Sequence, residues 1–228
     1  MRADDPNLPL LTLIADALGD LREQLVFVGG CAAGLLLDDP AAGEIRATQD
    51  VDAIVEATTL TDLYRIEGFL PERGFVRAAD SEVICRWRHR ATGTLFDLMP
   101  VEPTVLGFAN PWYPEAVRTA TREALNDRIS IRLIAAPAFL ATKLEAFATR
   151  GKGDFLASHD LEDVLTVIEG RPGLADELLA AAPDLRAAVQ AHFRQLLAAP
   201  YFVENLPGLL GDPDLGGMVL ARLRNMAA

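Results

Sequence analysis

The apolar residues of this chain change their spacing once, close to residue 136, and that change limits the folds open to it. Before it, short runs of period two alternate with short helical stretches. After it, every apolar segment carries helical spacing, over 138–150, 158–169, 173–181, 184–198 and 216–227, with glycines and prolines as punctuation. The pattern predicts an α+β fold, a small mixed sheet with helices over residues 1–135, followed by an α-helical region over 136–228.

Within the first half, residues 8–21 place leucines and Ile14 at helical spacing, with Asn7 positioned to cap and Pro9 in the first turn. Residues 24–28 are a β-branched and aromatic run that ends at Gly29-Gly30. The small apolar residues 31–37 then predict a helix stopped by Asp38-Asp39-Pro40, and 40–47 is loop-like. Residues 50–56 alternate strictly, with Asp50, Asp52, Ile54 and Glu56 on one side and Val51, Ala53 and Val55 on the other, which is a strand. An amphipathic helix over 60–73 ends at Gly74, and 75–77 is a short strand. Strands over 82–90 and 94–99 are joined by Ala91-Thr92-Gly93. Pro100, Pro103, Pro111 and Pro114 mark an irregular connection before a strand over 128–134.

Composition narrows the function classes. The 228 residues carry 21 basic and 33 acidic side chains, a net charge of −12, which argues against coating nucleic acid by bulk charge and leaves open only a local basic patch. Half the residues are hydrophobic and 24% are charged, enough for a packed core. Cys31 and Cys85 are too few for a disulfide framework and sit in no zinc-like cluster, which suits a cytoplasmic location. The start of the chain places Asp4 and Asp5 ahead of a short apolar segment, unlike a secretion signal. No run approaches the roughly 18 apolar residues of a membrane span, so no membrane partner is expected.

Three carboxylates carry the chemistry. Asp50 and Asp52 are two apart on one strand, so both leave the same face and can share a divalent cation. Asp97 stands in the apolar run Leu95-Phe96-Asp97-Leu98-Met99, where an uncompensated charge is costly. If the two strands are neighbours, the three converge, and Mg²⁺ or Mn²⁺ relieves their repulsion. Taken singly, the aspartate pair suits a solvated edge and Asp97 a strand-end cap. The order is more informative: a Gly29-Gly30 turn that lets backbone approach a phosphate, then Asp50 and Asp52, then Asp97. A phosphate cradle beside a metal cage implies phosphoryl or nucleotidyl transfer.

The residues Val28-Gly29-Gly30, then Arg46-Ala47-Thr48-Gln49-Asp50-Val51-Asp52, then Asp97 resemble the DNA polymerase β-type nucleotidyltransferase superfamily. In the second half, Lys143, then Arg150-Gly151-Lys152, then Asp160-Leu161-Glu162-Asp163 resemble the AbiEii/AbiGii toxin branch, and the resemblance covers about residues 25–170. It implies a nucleotidyltransferase core over 1–135, with a helical domain over 136–228 completing the site. It implies an Mg²⁺- or Mn²⁺-dependent enzyme whose substrate is a nucleoside triphosphate. Asp50, Asp52 and Asp97 would ligate metal, and Asp97 would help deprotonate the attacking hydroxyl. Gly29 and Gly30 would hold triphosphate oxygens, Lys143 would add positive charge beside them, and Asp160 would be an acidic site residue, as would Asp163. The acceptor would be RNA such as tRNA, or a protein, and a cognate antitoxin is the implied partner. A small-molecule, aminoglycoside-type nucleotidyltransferase and a catalytically silent, partner-binding member are the alternatives. Position 31 is Cys, and the link from Gly30 to Asp50 is long, both departures from the pattern.

Other residues admit two roles. Arg46 and Thr48 precede the aspartates and either bind and orient the nucleotide or stabilise the loop. Without the resemblance Lys143 is a helix-surface lysine. Asp160 and Asp163 also suit the first turn of a helix capped by Ser158, and His159 suits solvent. Arg86, Arg88 and Arg90 alternate along one strand, so pairing with carboxylates is the first expectation and a groove for phosphates or RNA the second. Cys31 is expected to be a small buried thiol. The leucines and alanines of 178–197 suit core more than an interface.

Overall fold

The computed structural model describes residues 4–150, 154–210, 212 and 214–228; Gly151 and Lys152 of the predicted motif lie outside them. The fold is a mixed α/β region followed by a helical region, and the chain forms two compact units. One comprises residues 4–32 and 46–135, the other residues 33–45 and 136–228.

Among the described residues seven strands form one sheet: β1 (Leu25–Val28), β2 (Asp50–Val55), β3 (Phe75–Arg77), β4 (Arg86–His89), β5 (Leu95–Pro100), β6 (Thr121–Ala124) and β7 (Ser130–Leu133). Their order is β3-β4-β5-β2-β1-β7-β6. β2 runs parallel to β5 and antiparallel to β1, and β1 runs parallel to β7. The central strands are the apolar ones. β1 is buried along its whole length, and Val51, Ala53, Phe96 and Leu98 are buried on β2 and β5. The edge strands β3 and β6 are short, and β6 carries Arg122 and Glu123, features that discourage pairing with another chain. Helix α1 (Leu8–Leu18) buries Leu11, Ile14, Ala15 and Leu18, one stripe at helical spacing.

Local chemistry explains where elements depart from the sequence expectation. The first helix ends at Leu18 rather than residue 21, because Gly19 takes φ +56° and a 3₁₀ segment (Gly19–Gln24) follows. Asn7 precedes this helix but makes no side-chain cap; its amide is used elsewhere, as described below. The helix expected over 31–37 is a 3₁₀ segment, Gly30–Leu36, in keeping with two glycines, Gly30 and Gly34, within seven residues. The helix expected over 60–73 divides. Helix α2 (Leu60–Glu67) starts in a Thr59/Asp62 capping box and stops at Gly68, and a 3₁₀ turn (Pro71–Arg73) closes on Gly74 at φ +84°. The proline-rich connection holds two short helices, α3 (Pro103–Leu106) and α4 (Tyr113–Thr119). It also leads into β6, whose exposed Thr-Arg-Glu-Ala sequence gives no apolar alternation.

The hairpin between β4 and β5 matters most. It closes on two backbone bonds of 2.8 Å: the His89 N–H donates to Thr94 O, its register partner, and the Gly93 N–H inside the loop donates to His89 O. Four residues, Arg90 to Gly93, therefore make the loop, one more than the Ala91-Thr92-Gly93 expected from sequence, and Gly93 supplies the positive φ of +76°. The extra residue sets the register Arg86↔Asp97, Trp87↔Phe96 and Arg88↔Leu95.

The second unit is helical: α5 (Ala136–Arg150), α6 (His159–Gly170), α7 (Leu174–Ala180), α8 (Pro183–Ala198), α9 (Pro200–Leu209) and α10 (Leu215–Ala227). Helix α5 is buried on nearly every side, whereas α8 buries only the stripe Leu185, Val189, Phe193 and Leu196. Helix α9 was not expected from sequence; Pro200 opens its first turn and Pro207 lies within it. Residues 33–45 are fastened to α6. The N–H groups of Asp38 and Asp39 both donate to Gly170 O, at 2.9 and 3.0 Å, and the Gly43 N–H donates to Glu169 Oε1 at 2.7 Å. Gly170 is glycine for a spatial reason, since a Cβ there would press on Leu37 and Ala42.

Candidate active site

The three aspartates lie on one face of the sheet. Asp52 and Asp97 are register partners on the parallel pair β2 and β5, so their Cα atoms are about 4.8 Å apart. Asp50, two residues before Asp52, leaves the same face. The row continues to either side: Arg86 of β4 is opposite Asp97, and Val28 of β1 is opposite Asp52. Cross-strand partners share a face, so Arg86, Asp97 and Asp52 stand side by side with Asp50 one step along β2.

Arg86 answers the charge. Its Nε donates to Asp97 Oδ1 at 2.8 Å and its Nη2 to Asp97 Oδ2 at 2.7 Å, a two-pronged bond, while Nη2 also reaches Asp50 Oδ2 at 2.6 Å. The hydrogen bonds to Asp97 hold the guanidinium protonated more firmly than usual, against the opposing effect of burial, and the charges of Asp97, Asp50 and Asp52 add to this. Asp97 is more enclosed than Asp50, its side chain 8% exposed against 32%. Cys85, next to this row, is a buried thiol. Burial, followed by the nearby charges of Asp97 and Asp52, pushes it up to about 12, so it stays neutral and unreactive.

The glycine turn closes the other side. Gly29 follows the last residue of β1 with φ +73°, and a Cβ built there would run into the Asp52 carboxylate. Backbone thus lies directly against the acidic face. Gly30 begins the 3₁₀ segment, so the full α-helical N-terminus expected after the turn is replaced by a tighter, shorter one, and the Ala32 N–H is engaged by Gly29 O at 3.2 Å. Cys31 is buried with its thiol donating to Val28 O, as expected for a structural cysteine.

Arg46 and Thr48 lie just ahead of β2 and are held by Asn7. Its Nδ2 donates to Arg46 O at 2.9 Å, and its Oδ1 accepts from the Thr48 N–H at 2.8 Å. The Thr48 hydroxyl contacts both Asn7 Oδ1, at 3.3 Å, and Asp50 O, at 3.2 Å. The residue expected to cap a helix instead fixes the segment that delivers Asp50.

Lys143, Asp160 and Asp163 gather in the helical unit. Lys143 of α5 is buried rather than surface-exposed, and its ammonium pairs with Asp163 at 2.7 Å and Asp160 at 3.0 Å; Arg150 reaches Asp160 at 3.2 Å. Burial alone would lower the Lys143 pKa, yet the charges of Asp163 and Asp160 and their hydrogen bonds raise it overall. Ser158 caps α6 by accepting from the Leu161 N–H, and His159 lies in solvent beside Glu162. Arg88 is paired with Asp80 through two contacts of 2.9 Å, and Arg90 falls in the hairpin loop. The first expectation for Arg86 and Arg88, pairing with carboxylates, describes both.

Three carboxylates on one face form an all-oxygen donor set of the kind hard divalent cations prefer, so the residue types fit Mg²⁺ or Mn²⁺. As the side chains stand, Arg86 engages two of the three, and among the described residues no three His, Cys, Asp or Glu side chains are gathered round one point as ligands. Among the described residues no helix is long and apolar enough to cross a membrane.

No protein-family model matches the chain, and no curated protein matches its sequence. Among solved structures it is similar to an antigenic nucleotidyltransferase-like protein from Paracoccidioides brasiliensis, at 21% identity over 83% of this chain and 94% of that one, with a TM-score of 0.49. It is also similar to the antibiotic-resistance factor ANT(2'')-Ia, at 15% identity over 87% of this chain and 96% of that one, with a TM-score of 0.47. Both likenesses are distant.

Proposed function

We propose that this protein is a metal-dependent nucleotidyltransferase that moves a nucleoside monophosphate from a nucleoside triphosphate to an acceptor hydroxyl. One observation carries the reading: Asp97 and Asp52 are register partners, Asp50 shares their face, and the Gly29 turn lies directly against Asp52. Carboxylates and bare backbone side by side suit a triphosphate and its counter-cation.

Asp50, Asp52 and Asp97 would hold Mg²⁺ or Mn²⁺, which when bound neutralises triphosphate charge and acidifies a nearby hydroxyl. Gly29 and Gly30 bring backbone N–H groups against phosphate oxygens without a side chain between. Asp97, the more enclosed carboxylate, takes the proton of the acceptor hydroxyl. The acceptor oxygen then bonds to the α-phosphorus, the bond from that phosphorus to the bridging oxygen breaks, and pyrophosphate leaves with the electron pair. Thr48 and Arg46, anchored by Asn7, position Asp50. The reaction as written draws on the sheet unit alone.

The resemblance of residues 25–170 to the AbiEii/AbiGii branch supports RNA such as tRNA, or a protein, as acceptor, with the enzyme as the toxin of a toxin–antitoxin or abortive-infection pair and an antitoxin as its partner. The net charge of −12 favours a second acceptor class, a cationic small molecule of the aminoglycoside type. The test is label transfer from each α-³²P nucleoside triphosphate, with Mg²⁺, to total bacterial RNA or protein, beside an Asp50→Ala/Asp52→Ala variant. Label in one macromolecule, lost in the variant, is the expected result. Label only on aminoglycosides selects the second acceptor class. A folded protein that binds no nucleotide is instead a silent, partner-binding member, and the proposal fails.

A further inference from the structure

Arg86 stands where a cation is wanted. Its side chain comes from β4, directly opposite Asp97, and forks onto both oxygens of that carboxylate while reaching across to Asp50. Among the described residues, all of its side-chain hydrogen bonds go to these two aspartates. No backbone carbonyl holds the guanidinium, and its side chain is 19% exposed, so it has both a reason to stay and a route to solvent. This distinguishes it from Arg73, which grips Leu18 O and Phe69 O, and from Arg171, which grips Leu36 O.

We infer that Arg86 is an internal competitor of the divalent cation: guanidinium and metal ion take the same oxygens of Asp97 and Asp50, and Arg86 must swing outward before a metal ion is held by all three carboxylates. The inference rests on the metal-binding reading of that face and deepens it. An arginine cannot discharge itself at any working pH, so it leaves only by moving, never by losing a proton. Its departure replaces one positive charge with two among three negative ones, which drives the exchange once a divalent cation is present. While the pair persists, the affinity for metal is reduced by the fraction of molecules in which the carboxylates are released. A guanidinium resident nine times in ten weakens metal binding about tenfold.

The test is Mn²⁺ binding by the full-length protein, read from loss of the free Mn²⁺ EPR signal, for wild type, Arg86→Gln and Arg86→Lys. Arg86→Gln removes the charge and is expected to bind Mn²⁺ about tenfold tighter than wild type. Its melting temperature should also rise more on adding Mn²⁺. Arg86→Lys keeps a charge but loses the fork, and is expected to fall between the two. It also serves where Arg86→Gln does not fold. Equal or weaker Mn²⁺ binding in the folded variants overturns the competition and leaves the metal-binding reading standing. Absence of Mn²⁺ binding in all three proteins overturns both.

Discussion

Gly29 sits against the Asp52 carboxylate at a φ of +73°, so both its backbone angle and its surroundings exclude a side chain. Gly29 directly follows β1, whose last residue Val28 pairs with Asp52 of β2, and this brings the end of β1 to the acidic face. Gly29→Ala is therefore expected to lose about 2 kcal/mol or more, from the left-handed backbone alone and then from the clash. Chemical denaturation measures the loss. If the proposed reaction is right, label transfer falls further than stability does.

Asn7 secures the approach to Asp50. It is buried, and its amide serves Arg46 O and the Thr48 N–H together. Asn7→Ala leaves both backbone groups without these bonds, and a loss of about 1–3 kcal/mol is expected in urea denaturation. A variant of wild-type stability would show that water or another side chain replaces the amide.

Lys143 is the keystone of the ionic cluster in the helical unit. Replacing it with Met leaves the buried Asp163 facing Asp160 without their shared cation. The expected cost is about 3–5 kcal/mol. The double variant Lys143→Met/Asp163→Leu, which removes the stranded charge as well, should recover part of it, and a double-mutant cycle reads the coupling directly.

The same lysine sets a pH dependence. Its pKa is raised in the folded protein above the ordinary lysine value of about 10.5, so the unfolded chain releases the proton first as pH rises. The stability it contributes is complete below that value and is lost as pH climbs through the higher folded one. The stability difference between wild type and Lys143→Met should thus be flat from about pH 7 to 9.5 and shrink above about pH 10.5. A difference that already falls between pH 7 and 9 would contradict the assignment.

The two cysteines offer a simple check of burial. Cys31 and Cys85 are both enclosed, and Cys85 has its thiol pushed up to about 12. At pH 8 the native protein should show neither thiol to Ellman's reagent within minutes, and both after denaturation. Prompt reaction of one would mean that the sheet opens beside the acidic row.

Much of this molecule is local and was legible as such. The alternation from Asp50 to Val55 reports a strand because side chains on a strand change face at every residue, and it places Asp50 and Asp52 together with no knowledge of their neighbours. The helical spacing of α6, α8 and α10, and the Ser158 cap, follow from residues within a turn or two of one another. Where glycine or proline interrupts a stripe, as at Gly19, Gly68 and Pro71, the boundary shifts because those residues act on the backbone itself.

What the sequence could not supply is everything that depends on one strand's position beside another. Asp97 meets Asp52 because β5 pairs with β2 in parallel, a contact between residues 45 positions apart that no local period encodes. Arg86 meets Asp97 because the hairpin loop has four residues. A three-residue loop, Ala91 to Gly93, would set Trp87 opposite Asp97 and turn the arginines to the other face. Residues 33–45 lie beyond the first strand in sequence yet pack with the helices after residue 136, because their N–H groups find partners on α6. Residue order alone reports the central strands, the longer helices and the acids, because those signals lie within a few residues of one another. Which acid faces which base follows from loop length and strand register, because both are fixed by pairing between segments distant in the chain.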